Sequence, residues 1–184
     1  MINYKKILVE AIKENPNADK WDGATYEDIK RVSNTAVGKV GQTFVRKLCE
    51  ETNFSCTPPY TKNGDEAYNS PWDLKIENIT FEIKTASEDT GGSFQFNHVR
   101  LHRPYDALLC VGIAPNEIFF NLWTKADVAT GGAGTLTSME QGGASDFKLS
   151  KRRSQMRCIT EFAEVLNEFL CTKFPDKTTC NLKG

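Results

Sequence analysis

Residues 72–84 constrain this chain more than any other stretch. Trp72-Asp73-Leu74-Lys75-Ile76-Glu77-Asn78-Ile79-Thr80-Phe81-Glu82-Ile83-Lys84 alternates apolar and polar side chains on both sides of Glu77-Asn78. Period-two alternation marks strands with one dry and one wet face. A two-residue break between two such runs reads as a hairpin turn. With Glu77-Asn78 as the turn, Ile76 faces Ile79, Lys75 faces Thr80, Leu74 faces Phe81 and Asp73 faces Glu82. The predicted dry face is Trp72, Leu74, Ile76, Ile79, Phe81 and Ile83, and the wet face is Asp73, Lys75, Glu77, Thr80, Glu82 and Lys84.

Directly opposed residues hold their Cβ atoms about 4.5–5.5 Å apart. Two carboxylates at that spacing repel unless a cation sits between them. A hard divalent ion such as magnesium takes oxygen ligands at about 2.0–2.1 Å and keeps several waters. Asp73 and Glu82 can supply two of those oxygens. Lys84, on the same face, can orient or deprotonate a water, or neutralise developing charge. Any hairpin with one solvated face also alternates, and Lys75, Glu77 and Thr80 are expected to be solvated. Asp73 and Glu82 stand apart, because like charges opposed in a pair are normally avoided. Asp73 also opens a strand after Pro71.

The rest of the chain supplies helices, then strands, then a helix. Ile7, Leu8, Ala11 and Ile12 mark a helical face within 2–14, and Thr25-Tyr26-Glu27-Asp28 resembles a capping box. Val37, Val40, Phe44, Val45 and Leu48 fall on one face of a helix over 35–51. Gly38 and Gly41 within it suggest close approach of another element. Residues 58–71 read as a loop, 106–114 as a buried central strand and 118–123 as another strand. The glycine-rich 131–143 reads as a connector or a flap over a groove. Ser150 is expected to cap a last helix carrying Ile159, Phe162, Val165, Leu166, Phe169 and Leu170. The expected class is α/β (α+β) around a central sheet.

Pro71-Trp72-Asp73, eight residues, then Glu82-Ile83-Lys84 resembles the PD-(D/E)xK motif of the restriction-endonuclease-like nucleases. The order of elements over about 34–130 fits as well: the helix with Gly38, Gly41 and Gln42 before the motif, Phe94-Gln95-Phe96-Asn97-His98 after it, then Tyr105-Asp106-Ala107-Leu108-Leu109. The resemblance implies a central mixed β-sheet flanked by helices. It implies Asp73, Glu82 and the backbone carbonyl of Ile83 as magnesium ligands, with Lys84 positioning or activating the attacking water. Manganese is expected to substitute, and calcium to support binding only. The motif departs from the usual pattern in Trp72, which stands between the proline and the aspartate. It departs again in Gln42, where the family's helix often offers a Glu. Gln42 and Gln95 are thus candidate groups behind the metal ligands rather than ligands themselves.

Composition narrows the partners. The 184 residues carry 23 Lys and Arg against 24 Asp and Glu, a net charge of −1. Bulk charge therefore does not hold nucleic acid, and any affinity comes from a local patch. Lys148, Lys151, Arg152 and Arg153 form one such patch, read as phosphate-binding. Asn97, His98 and Arg100, with Gln95 and Arg103 nearby, are the side-chain types that read base edges. There is no run of 18 apolar residues, so no membrane span is expected. Six cysteines without a Cys-x-x-Cys pair suggest reduced thiols in a cytoplasmic protein.

The whole is expected to be a single nuclease domain over 1–184, with a core of about 34–130 and a C-terminal helix and basic segment over 146–170. The expected activity is magnesium-dependent cleavage of double-stranded DNA at a specific sequence, as in type II restriction endonucleases. Cutting both strands calls for two active sites and hence a homodimer. A junction-resolving or repair nuclease of the same fold, and a DNA-binding protein without catalysis, are the alternatives.

Overall fold

The computed structural model describes residues 20–67, 70–139 and 146–178; the helix expected over 2–14 lies outside them. The predicted hairpin forms in the predicted register. Strand β2 (Leu74–Ile76) pairs antiparallel with β3 (Ile79–Ser87), matching Leu74 to Phe81, Lys75 to Thr80 and Ile76 to Ile79. Glu77 in the turn takes a positive φ of 51°, as tight hairpin turns require. Ser55 holds it there: the Glu77 N–H donates to the Ser55 carbonyl at 2.8 Å, and the Ser55 N–H donates to Glu77 Oε1 at 2.9 Å. Glu77 is thus a structural tie rather than a solvated residue.

Strand β3 is the axis of a six-stranded mixed sheet. The strands are β1 (Cys56–Thr57), β2, β3, β5 (Ala107–Ile113), β6 (Ile118–Thr124) and β9 (Arg157–Cys158), side by side in that order. Only the β3–β5 pair is parallel. All of β5 is buried, as its continuous apolar run predicts. Helices α1 (Asn34–Glu51) and α3 (Phe162–Lys173) cover one face, where Val45, Cys49, Phe162, Leu166 and Leu170 pack on Ile76, Ile83 and Val111. Gly41 of α1 permits this approach: a Cβ there would sit 1.7 Å from Thr85 Oγ1. Gly38 meets nothing within 4 Å and is not needed for it.

A second sheet covers the other face. Strands β4 (Ser93–Arg100), β8 (Asp146–Arg152) and β7 (Leu136–Ser138) are antiparallel. Their Phe94, Phe96, Val99 and Leu149 bury against Leu108 and Cys110 of β5, with Val128 of the short helix α2 (Lys125–Ala129) closing the end. Gly112 lets this layer lie flat, since a Cβ on it would come within 2.9 Å of the Phe94 ring. The turn from β3 into β4 is clamped by Asp89, which accepts from the Ser93 N–H at 2.9 Å and the Ser93 hydroxyl at 2.8 Å. These bonds hold the Asp89 carboxyl down at about 2.

Several expectations are corrected. The 146–152 stretch is strand β8, and the last helix begins at Phe162, so Ser150 caps nothing. Leu149 supplies the reason, because period-two burial puts it in the second core. Part of the glycine-rich connector is strand β7. Residues 27–31 form a 3-10 turn without a side-chain cap; Thr25 bonds Asn116 instead. Trp72 precedes β2 and packs in the second core, not with Leu74. Cys49, Cys56, Cys110 and Cys158 are free thiols, but Cys171 is disulfide-bonded. Among the described residues no helix is long and apolar enough to cross a membrane.

Gly112→Ala should therefore overpack the second core. The expected loss is about 1–3 kcal/mol, a fall in Tm of roughly 2–12 °C for a chain of this size, read by thermal unfolding.

Candidate active-site cleft

Side-chain parity along β3 puts Glu82 and Lys84 beside Leu108 and Cys110 of β5, on the face that the second sheet covers. This polar face is consequently dry in part. Glu82 is 1% exposed. Lys84 Nζ donates to Glu82 Oε1 at 2.6 Å. Glu82 Oε2 has no hydrogen-bond partner among the described residues, and Arg103 Nη1 stands 4.0 Å away. Thr80, expected in solvent, instead donates its hydroxyl to Asp106 Oδ2 at 2.8 Å.

Asp73 sits one residue before β2. Its N–H donates to the Phe81 carbonyl at 2.9 Å, and its Oδ2 accepts from the Ile83 N–H at 2.7 Å. The carboxylate is thereby tied across the hairpin next to Glu82. Burial, then the Glu82 charge, pushes the Asp73 carboxyl up to about 6, against the opposing pull of the Ile83 hydrogen bond, Lys84 and Arg103. The Glu82 charge thus raises the cost of ionising Asp73, a cost that a cation between them removes.

These groups lie in a cleft of about 1050 Å³, whose lining includes Asp73, Glu82, Ile83 and Lys84 as well as Gln42 from α1. Strand β4 forms a further wall. Its register against β8 slips by one residue between Phe96 and Val99, and His98 takes a positive φ of 57°. An extra residue in one strand reverses the parity beyond it. Phe94, Phe96 and Val99 all turn into the core, so Gln95 and Asn97 before the bulge and Arg100 after it all line the cleft. Buried Asp146 fixes the bulge, accepting from Arg100 Nε at 3.1 Å and meeting His98 Nδ1 at 2.9 Å. Those partners hold its carboxyl below the usual range, His98 foremost.

The cleft therefore gathers Asp73, Glu82, Ile83, Lys84, Gln42, Gln95, Asn97, His98 and Arg100 from the sequence-predicted set. It does not gather the basic segment. Lys151 is buried, with Nζ 5.1 Å from the centre of the Trp123 ring, and burial pushes its ammonium down. Arg153 spends its guanidinium on buried Glu88 at 2.8 Å and on Glu117 at 3.2 Å. Arg152 is exposed and Lys148 half-buried on β8, outside the cleft lining. Sequence reasoning missed Glu88, which neutralises Arg153, and Asp146, which holds His98 and Arg100. A lone acid in a polar stretch gives no signal that it will be buried.

The donor set suits a hard divalent cation: two carboxylates, one with an orphaned buried oxygen, and no third acidic, histidine or cysteine side chain in a cluster among the described residues. Magnesium commonly takes one or two carboxylates and completes its shell with water and phosphate oxygens.

No family model and no curated protein matches the chain. Among solved structures, the bacterial homing endonuclease I-Ssp6803I matches at 13% identity and a TM-score of 0.45, over 80% of this chain and 100% of that one. Hjc, a Holliday junction resolvase from Archaeoglobus fulgidus, matches at 13% identity and 0.39, over 68% and 99%.

The raised Asp73 pKa has a stability consequence without metal. The folded value lies above the ordinary carboxyl value of 3.8, so the fold favours the protonated form and loses stability as pH rises through about 6. In a chelator, Asp73→Asn should be more stable than wild type at pH 8, by on the order of 3 kcal/mol. Near pH 4 that gain should vanish, as Tm measurements at both pH values will show.

Proposed function

We propose that the protein is a divalent-metal-dependent endonuclease acting on double-stranded DNA. The observation that carries this reading is the Asp73–Glu82 pair with Lys84 Nζ 2.6 Å from Glu82, in a cleft far larger than a metal ion needs. Asp73, Glu82 and the Ile83 carbonyl would hold magnesium, which when bound supplies positive charge at a scissile phosphate and acidifies water. Lys84 places its Nζ at the carboxylates, where it can donate to the attacking water or to a phosphate oxygen. Gln95 and Asn97 stand on the β4 wall with amide groups that suit base edges.

The finer reading is a type II restriction endonuclease: one nuclease domain, working as a homodimer so that two clefts address two strands. Manganese would replace magnesium. Asp73→Ala and Lys84→Ala should each lower plasmid cleavage by at least about 100-fold, with circular dichroism unchanged. Discrete fragments support restriction, nicking confined to branched DNA supports junction resolution, and intact DNA with magnesium overturns the nuclease reading. Cleavage by Lys84→Ala at the wild-type rate overturns the site.

Charge counting predicts the metal's second effect. The cleft lining holds five Lys and Arg (30, 39, 84, 100, 103) and five Asp and Glu (66, 73, 82, 88, 89), which cancel. A divalent ion tips the balance positive, so calcium and magnesium should both tighten duplex binding. Calcium accepts looser geometry and longer bonds, so it should hold DNA without cleavage. Binding titrations without metal, with calcium and with magnesium test this, and Asp73→Ala should abolish the calcium effect.

A further inference from the structure

We infer that Arg103 grips a phosphate of the bound strand beside the Asp73–Glu82 pair, a second cationic hand next to Lys84; this rests on the nuclease reading above. The other cations of the cleft are already engaged. Lys39 meets Glu66 at 2.6 Å, Lys84 meets Glu82 at 2.6 Å, and His98 and Arg100 share Asp146. Lys30 lies over the Trp21 ring. Arg103 differs: among the described residues no carboxylate comes within hydrogen-bond distance of it, and Glu82 Oε2 remains 4.0 Å away.

Among the described residues its one side-chain hydrogen bond runs from Nη1 to the Ser70 carbonyl at 3.2 Å. Most of a guanidinium's five N–H donors are therefore unspent. The side chain is only 24% exposed, so water screens it poorly. It is also placed in advance. The Arg103 N–H donates to the Arg100 carbonyl at 3.3 Å, and the Arg103 carbonyl accepts from Tyr105 N–H at 3.0 Å and Lys125 Nζ at 2.7 Å. The Ser70 bond fixes the guanidinium to the segment that leads into Asp73. A planar fork held through Nη1, the nitrogen that also stands 4.0 Å from Glu82 Oε2, keeps its Nε and Nη2 donors for two oxygens of a phosphodiester.

The test compares wild type, Arg103→Lys and Arg103→Ala on a short duplex and on the same duplex with one neutral methylphosphonate at the cleaved position. Binding is read by fluorescence anisotropy in calcium, and single-turnover cleavage in magnesium. We expect Arg103→Lys to cleave at least about 30-fold more slowly with an unchanged Tm, because a lone ammonium cannot make both contacts. The methylphosphonate should weaken wild-type binding several-fold and Arg103→Ala binding hardly at all. Added guanidinium should partly restore cleavage by Arg103→Ala. Equal methylphosphonate penalties in wild type and Arg103→Ala overturn the assignment, as does wild-type cleavage by Arg103→Lys. In either case Asp73→Ala inactivity leaves the nuclease reading standing. A wild-type protein that neither binds nor cuts duplex DNA overturns both.

Discussion

Mutual repulsion between Asp73 and Glu82 is the constraint around which the molecule is arranged. Neither carboxylate is free to move away. Asp73 is tied across the hairpin by Ile83 and Phe81, and Glu82 is enclosed between two layers. The hairpin turn that sets them opposite each other holds Glu77 in a left-handed conformation, stabilised by its exchange of hydrogen bonds with Ser55. Local strain of this kind persists only where the surroundings over-determine it. Here the surroundings are the edge strand and the helix beyond it.

A half-buried acidic pair needs an opening, and the two-sheet arrangement makes one. The β3 strand forms the floor and β4 a wall. The slipped residue at Asn97–His98 lets one strand send Phe94, Phe96 and Val99 inward while Gln95, Asn97 and Arg100 face the opening. Without it, Arg100 would share the inward parity of Phe94 and Phe96. Asp146 makes the slip affordable by receiving both His98 and Arg100.

The hairpin, its register and the buried β5 strand were legible in the sequence, because strict alternation and a continuous apolar run each have one economical reading. The approach of α1 through Gly41 was legible for a similar reason: a glycine in a helix invites a steric explanation. The basic segment does not present one face. Lys148, Lys151, Arg152 and Arg153 look like one patch along the chain, but a strand sends neighbours to opposite faces, and Leu149 and Lys151 go inward. The second sheet was also hidden, since β7 is three residues long and β4 breaks its own period at the bulge. Long-range pairing of such short elements leaves no local pattern to read.

The contact between Gly112 and Phe94 bears on more than packing. The wall carrying Gln95 and Asn97 and the floor carrying Glu82 are separate sheets, spaced by that contact at one point and hinged at the Asp89 turn. The missing methyl group at Gly112 behaves as a shim left out of a vice. The gap between the jaws is set in the dry interior, by the thickness of an aromatic ring, rather than by anything that faces the opening.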